Sequence, residues 1–282
     1  MRIDLHTHSN VSDGTDTPAE LVAKASAALE VVALTDHDTF DGLAEAVAAG
    51  VQAGVEVLRG IEISAQHRGA SVHLLGYGCL ADAPGLAAEL AHVREGRAQR
   101  VPAMLANLAR YGMPVPVDVL ARQVGDSPSV GRPHLADAMV ELGYVADRRE
   151  AFDNWLADDK PIFVHRYATE LKTALRLIRQ AGGVALVAHP WGRGSRAQLP
   201  PELLAELAAS DLLDGVEVDH QDHDQATRAD LRALAAELGL LATGSSDYHG
   251  AGKQEHDLGC NLTAPEVLTE IRRRVAERGG RL

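Results

Sequence analysis

The sequence predicts an α/β protein in which largely parallel strands, closed as a barrel or left as an open sheet, are interrupted by a block of helices. Three observations carry this. Short β-branched runs alternate with alanine- and leucine-rich stretches of helical character. Most of those runs are apolar almost throughout, as expected of strands covered on the outside by helices. Between about Pro84 and Tyr167 the alternation stops, and only helical patterns remain.

Seven strands are expected, over residues 2–5, 31–35, 55–63, 71–77, 184–188, 215–219 and 240–244. The helices between them carry readable starts. Thr17-Pro18-Ala19-Glu20 has the form of a capping box with proline at the first helical position, and Thr263-Ala264-Pro265-Glu266 has the same form. Gly182-Gly183 is placed to end the helix over 171–180 and lead into the next strand. Inside the interruption, helices are expected over 86–111, 117–124, 133–142 and 148–156. This divides the chain into a barrel or sheet domain, residues 1–83 and 168–282, and a helical insertion, residues 84–167, packed over one end of it.

Composition narrows the function classes. The chain has 282 residues, 46% hydrophobic and 24% charged, as in an ordinary globular protein. No apolar run approaches the roughly 20 residues that span a bilayer. The start, Met1-Arg2-Ile3-Asp4-Leu5-His6, lacks the apolar core of a signal peptide, so a cytoplasmic enzyme is expected. Cys79 and Cys260 lie far apart and read as reduced thiols. The formal net charge of −13 argues against a groove for long nucleic acid. A small anion can still bind where metal ions make the site locally positive.

The histidines are clustered by strand. His6 and His8 stand two apart at the end of the first strand, on one face, where both imidazoles can reach one metal. Alone that is weak, since chance gives about 0.6 such pairs in a chain of this composition. The other strands repeat it. The second is followed by Asp36-His37-Asp38, and the third ends in Glu62 between two isoleucines, where a charge needs a partner or a metal. The fourth carries His73, the fifth is followed by His189, the sixth by His220 and His223, and the seventh by Asp247 and His249. In a parallel barrel, that rim is where active sites sit. His67, His92, His165 and His256 read as ordinary polar residues. His220 reads the same way, with His223 the better candidate.

The ordered motifs Asp4-Leu5-His6-Thr7-His8-Ser9, Ser12-Asp13-Gly14, Leu34-Thr35-Asp36-His37-Asp38-Thr39, Gly60-Ile61-Glu62, Ala188-His189-Pro190 and Gly244-Ser245-Ser246-Asp247-Tyr248-His249 resemble those of the PHP (polymerase and histidinol phosphatase) phosphoesterases. Gly131-Arg132-Pro133-His134 brings the chain nearest to the nucleoside 3′,5′-bisphosphate phosphatases and short-RNA 5′ exonucleases of that family. The resemblance implies a distorted (β/α)7 barrel with a helical insertion. It also implies three divalent ions, Mn²⁺ first and Zn²⁺ or Fe²⁺ as alternatives. One would be held by His6, His8, Glu62 and Asp247, a second by Asp13, His37 and His249, and a third by Glu62, His73 and His189. Three such ions against three carboxylates leave the site at roughly +3, suited to a phosphate dianion.

The activity implied is hydrolysis of a phosphate monoester on a small nucleotide, by attack of a hydroxide generated at the cluster. His223, Asp247 and His249 would act in catalysis. Arg132, His134 and Lys160, with His223, would hold phosphate. A histidinol-phosphate phosphatase, a 5′ exonuclease on short RNA and a non-catalytic metal-binding module are the competing expectations. An amidohydrolase with a carbamylated lysine is disfavoured, because Lys24, Lys160, Lys172 and Lys253 all fall outside the expected strands. The loop Trp191-Gly192-Arg193-Gly194-Ser195-Arg196 is either a lid or an ordinary exposed loop.

Overall fold

The computed structural model describes residues 1–158 and 160–282, with the side chains of Arg193 and Gly194 outside the description. Seven strands form one path: β1 (Ile3–Thr7), β2 (Val31–Leu34), β3 (Glu56–His67), β4 (Ala70–Tyr77), β6 (Val184–Val187), β7 (Gly215–Asp219) and β8 (Leu241–Gly244). A two-residue strand, β5 (Thr169–Glu170), pairs with the end of β3 off that path. A bridge between Thr7 and Tyr248 brings the first strand to the last, so the sheet nearly closes. This is the expected barrel. Among the described residues no helix is long and apolar enough to cross a membrane.

One strand runs against the rest. β4 is antiparallel to both β3 and β6, where parallel strands were expected. The cause is a two-residue turn, Arg68-Gly69, with φ of 51° and 84°. Positive φ at both turn positions is the tight hairpin geometry that matches strand twist. The reversal matters for the site. Because β4 starts at the rim where the others end, His73, its fourth residue, stands beside Ser64 and near the end of β6.

Alternate strand residues divide into two layers. Ile3, Leu5, Val31, Ala33, Leu58, Leu75, Tyr77, Val184 and Leu186 form the inner cluster, closed at the base by Leu268, Ile271 and Val275 of α10 (Pro265–Arg278). The outward residues pack under α1 (Pro18–Ala25) and α2 (Leu43–Ala53) on one side and under α7 (Leu171–Gln180), α8 (Pro201–Ala209) and α9 (Gln225–Leu238) on the other. The capping box at Thr17 forms as expected. The one expected at Thr263 does not. α10 is capped by Ala264, while the Thr263 hydroxyl accepts from Gly244 N and donates to Gly244 O, tying β8 to the helix start.

The insertion consists of α3 (Pro84–Arg110), α4 (Val117–Val124), α5 (Arg132–Glu141), α6 (Arg148–Ala151) and a π-helical turn, Phe152–Leu156, around its own apolar cluster. The expected loop or lid over 191–196 is largely a 3₁₀ turn, Gly192–Ala197, preceded by buried Trp191, whose Nε1 donates to Leu199 O at 2.6 Å.

The base is pinned by Asp214. Its carboxylate accepts from Ala185 N at 2.9 Å, from Arg278 at 2.6 and 2.7 Å and from Arg274 at 3.1 Å. Burial alone would raise its pKa, but Arg278 and the backbone donor outweigh burial and lower it. Its contribution to stability is therefore complete above the ordinary carboxylate range and is lost as pH falls through its own lower value. Asp214→Ala removes the carboxylate that pairs with Arg278 and leaves Arg274 with Glu270 alone. We expect a loss of about 3 kcal/mol in urea denaturation, with the rim unaffected. A loss below about 0.5 kcal/mol would reduce this network to surface decoration.

Candidate metal centre

The polar residues of the rim converge on Glu62. It is 1% exposed and stands between Ile61 and Ile63 of β3. Its Oε2 lies 3.4 Å from His6 Nε2, 3.2 Å from His8 Nε2 and 3.1 Å from His37 Nδ1. Its Oε1 lies 2.9 Å from His73 Nδ1 and 3.3 Å from His189 Nε2. One buried carboxylate thus meets five imidazoles brought in by four strands.

Local backbone geometry aims these groups. β1 changes register between Asp4 and Thr7. Such an irregularity redirects side chains, and His6 and His8 end with their Nε2 atoms 3.0 Å apart. His189 and Asp247 follow their strands with φ of 29° and 53°. Left-handed backbone at a non-glycine residue costs about 1–3 kcal/mol and persists where the surroundings fix it. Asp247 Oδ1 lies 3.5 Å from Nε2 of both His6 and His8. Asp13 comes from the loop after β1. That loop is held by Asp36, which accepts from Ser9 N at 2.8 Å, Ser9 Oγ at 2.6 Å and Ser12 Oγ at 2.7 Å. It turns back so closely that a Cβ on Gly14 would strike the His8 carbonyl. Asp13 is thereby set 3.5 Å from His37 Nε2 and 3.3 Å from His249 Nε2.

Among the described residues, four sets of potential ligand atoms lie within 4.8 Å of one another: His6, His8 and Asp247; His8, Asp13, His37 and His249; His37, Glu62 and His73; and His220, Asp247 and His256. The donor chemistry fits divalent cations. His6 Nδ1 lies 3.1 Å from Glu217 Oε1, and His249 Nδ1 lies 2.9 Å from Asp247 O. With Nδ1–H so donated, a neutral imidazole has only a lone pair at Nε2. For His249 that lone pair faces a carboxylate oxygen of Asp13. His37 Nδ1 is buried with no hydrogen-bond partner. Acceptors facing acceptors in a buried space are repulsive unless a cation lies among them, and the mixed nitrogen and oxygen set suits Mn²⁺, Zn²⁺ or Fe²⁺.

The protonation states agree. Burial opposes ionisation of Asp13, Glu62 and Asp247, yet the surrounding imidazoles, and Lys253 at Asp247, hold all three below the usual carboxylate range. Burial lowers His37 to about 3 and His189 to about 4, and lowers His249 as well. These are neutral, ligand-ready imidazoles at pH 7. At His6 and His8 burial is outweighed by the nearby carboxylates. Both are raised, His8 to about 9.

Several residues at this rim were not expected from the sequence. Glu217, fully buried on β7, accepts from His189 N at 2.7 Å and from Ser245 Oγ in addition to His6. Its signal was the one used for Glu62, a charge between apolar strand residues, here Val216 and Val218. His220 and His256 were read as ordinary polar residues, and both are buried beside the cluster. His220 Nδ1 accepts from Asp222 N at 3.0 Å, which leaves Nε2–H to donate to Asp247 Oδ2 at 3.2 Å. Lys253 also reaches that oxygen. A partner that fixes the orientation of a ligating histidine is worth 10- to 100-fold in metal affinity. Glu217→Gln is therefore expected to weaken Mn²⁺ binding by about 10- to 100-fold in an equilibrium titration. An affinity within threefold of the parent would remove Glu217 from the site.

The residues expected to hold phosphate are placed less uniformly. His223 donates from Nδ1 to Val218 O at 2.8 Å, and its buried Nε2 has no partner. His134 is buried and accepts from Gly131 N at 3.0 Å, so Nε2 carries its proton. Arg132 bonds Leu156 O at 2.9 Å and Asp158 at 2.6 Å. Lys160 is exposed.

Comparisons with known proteins agree with this geometry. The PHP domain family model matches residues 4–123. A 3′,5′-nucleoside bisphosphate phosphatase of Chromobacterium violaceum is 35% identical over 277 residues, covering 98% of this chain and 97% of that protein. A 5′-3′ exoribonuclease of Haemophilus influenzae is 32% identical, covering 88% of this chain and 90% of its own length. A structure from Bifidobacterium adolescentis, assigned as a metal-dependent phosphoesterase, superposes with a TM-score of 0.91 at 34% identity over 96% of each chain.

Proposed function

The chain belongs to the PHP family of metal-dependent phosphoesterases, and from that premise we propose that it removes a phosphate monoester from a nucleoside 3′,5′-bisphosphate. The observation that carries the reading is the single carboxylate of Glu62 meeting five imidazoles. In this reading the catalytic barrel is residues 1–83 and 168–282, and the insertion over 84–167 covers its rim. The enzyme acts in the cytoplasm, where Cys79 and Cys260 stay free thiols.

His6, His8, Glu62 and Asp247 would hold one divalent ion, Asp13, His37 and His249 a second, and Glu62, His73 and His189 a third, with Mn²⁺ favoured over Zn²⁺ or Fe²⁺. When bound, such ions supply Lewis acidity to phosphoryl oxygens and make a coordinated water acidic near neutral pH. The chain's own groups do the rest. Glu217 and Asp247 O hold His6 and His249 with Nε2 turned inward. Asp247 faces the imidazoles with Oδ1 while His220 and Lys253 bind Oδ2. His223, with Nδ1–H held by Val218 O, presents Nε2 to the substrate and, as the imidazolium, would either protonate the leaving oxygen or steady the phosphate. His134 offers an Nε2–H to a second phosphate, Arg132 offers its guanidinium, and Lys160 adds charge from the surface.

A phosphate-release assay with Mn²⁺ tests this, across adenosine 3′,5′-bisphosphate, adenosine monophosphates, histidinol phosphate and short oligoribonucleotides. The bisphosphate should give the highest kcat/KM. Arg132→Ala should raise KM at least about tenfold for the bisphosphate and much less for a monophosphate, as loss of a charge-assisted pair predicts. Equal loss on both ends the second-phosphate role of Arg132. Faster turnover of histidinol phosphate or of oligonucleotides would replace the substrate while leaving the metal site in place. Protein that binds metal and releases no phosphate from any ester is a metal-binding module.

A further inference from the structure

The helical insertion grips the loop that carries Asp13. Ser127 Oγ stands 2.9 Å from Val11 O and 3.1 Å from Ser12 O and donates to that pair. Arg148 of α6 takes the next carbonyl, donating from Nη1 to Asp13 O at 3.0 Å. The same guanidinium donates from Nε and Nη2 to the two carboxylate oxygens of Asp137 on α5, each at 2.6 Å. Three successive carbonyls of the loop after β1 are thus held from outside the barrel.

The Arg148 contact fixes more than one atom. The peptide unit joining Asp13 to Gly14 is planar. Gly14 N donates to Ser9 O at 2.9 Å at one end of it, and Arg148 holds the carbonyl at the other. With both ends bonded the plane is fixed, and the Asp13 side chain is set from that plane. Its carboxylate stands 3.5 Å from His37 Nε2 and 3.3 Å from His249 Nε2. The loop after His249 is drawn into the same contact. Thr15 N donates to His249 O at 3.2 Å, and Ala251 N donates to Thr15 Oγ1 at 2.9 Å. A Cβ on Gly252 would fall 2.1 Å from Arg148 Nη1, so glycine is what lets the guanidinium lie against this turn.

Arg148 also carries charge. A cation beside an ion site repels the ion that binds there. Asp137 opposes that repulsion with a bidentate pair, which leaves the fork to act as a geometric clamp.

We propose that Arg148, with Asp137 as its counter-charge, is a positioning residue for the ion held by Asp13, His37 and His249, so that the insertion completes that ion site as well as covering the rim. This rests on the metal-dependent reading of the rim. Arg148 acts through the Asp13 backbone and touches neither the ion nor the substrate.

Mn²⁺ is titrated calorimetrically into chelator-treated full-length protein, and melting is recorded in chelator. Arg148→Gln should weaken one class of Mn²⁺ site about 10- to 100-fold, as loss of a group that orients a ligand does, and leave the other ions within threefold of the parent. Charge alone predicts the opposite sign, because removing a cation beside an ion site tightens it. Asp137→Asn should weaken the same class. Asp13→Asn should remove that class, and adding Arg148→Gln to it should change the remaining ions less than threefold. Arg149→Gln is the control. It removes the same charge one residue away, where Arg149 meets exposed Glu255 at 3.8 Å, and should leave every Mn²⁺ affinity within threefold. Affinities of Arg148→Gln within threefold of the parent, or tighter, overturn the proposal. Equal weakening of every class, or equal weakening by Arg149→Gln, overturns it as well. So does a melting temperature of Arg148→Gln in chelator more than about 5 °C below the parent, which assigns Arg148 to the fold of the insertion. Failure of the phosphoesterase reading looks different: Mn²⁺-loaded parent protein would release no phosphate from any ester, while the loss of one ion class in Arg148→Gln would persist.

Discussion

Glu62→Ala is expected to lower phosphate release by about 1,000-fold or more and to remove most of the bound metal. The size follows from the number of contacts that one carboxylate makes. Glu62 lies within 3.4 Å of imidazole nitrogens from His6, His8, His37, His73 and His189. Losing one preorganised electrostatic group at a reacting centre already costs about 10²- to 10³-fold. Glu62 would serve two ion positions at once. Glu62→Gln separates charge from shape, since it keeps the side-chain volume and one carbonyl oxygen. Both variants should melt within a few degrees of the parent in chelator, because Glu62 N still bonds Thr35 O at 3.1 Å. Elemental analysis and a phosphate-release assay decide. Glu62→Gln with full metal content and activity within tenfold of the parent would sink the role given to this carboxylate.

How far this centre could be read beforehand depended on what kind of signal each residue leaves. Ligands at strand ends announce themselves, because strand alternation and a rim of parallel strands are sequence-periodic facts. His6, His8, His37, His189 and Asp247 were legible in that way. The direction of β4 was not. It turns on Arg68-Gly69, where arginine occupies a positive-φ position that sequence alone does not demand. His73 was therefore read at the correct rim for an incomplete reason. Glu217 left the same trace as Glu62 and was passed over, since no motif surrounds it. His220 and His256 were undervalued because their burial comes from tertiary packing. The burial of Arg100 was illegible for a third reason. Arg97 and Arg100 lie three apart on one helix and look like a solvated face, until Asp38 is seen to take only the first of them.

Metal loading is expected to raise the melting temperature by on the order of 10 °C, releasing protons as it does so, and the gain should widen as pH rises from about 6.5 to 9. An ion at a thousandfold excess over its Kd stabilises the fold by about 4 kcal/mol, and a domain of this size moves about 2–4 °C per kcal/mol. The pH dependence comes from His6 and His8. Their Nε2 atoms stand 3.0 Å apart, so without a cation at least one proton must lie between them. Both are raised by the surrounding carboxylates against the effect of burial, His8 to about 9. A group whose folded pKa is raised contributes stability that is complete below its unfolded value, near 6.5, and is lost as pH rises through the folded value. The chelated protein should therefore lose stability across that window. The loaded protein moves the other way, because ligands must shed protons to bind and apparent metal affinity climbs with pH. Calorimetric titration of Mn²⁺ in two buffers of different ionisation enthalpy counts the protons, and parallel melts with and without chelator give the divergence. Binding without proton release, together with melting curves that keep a constant separation from pH 6.5 to 9, would mean that the two imidazoles do not share a proton in the metal-free protein and do not yield it to an ion.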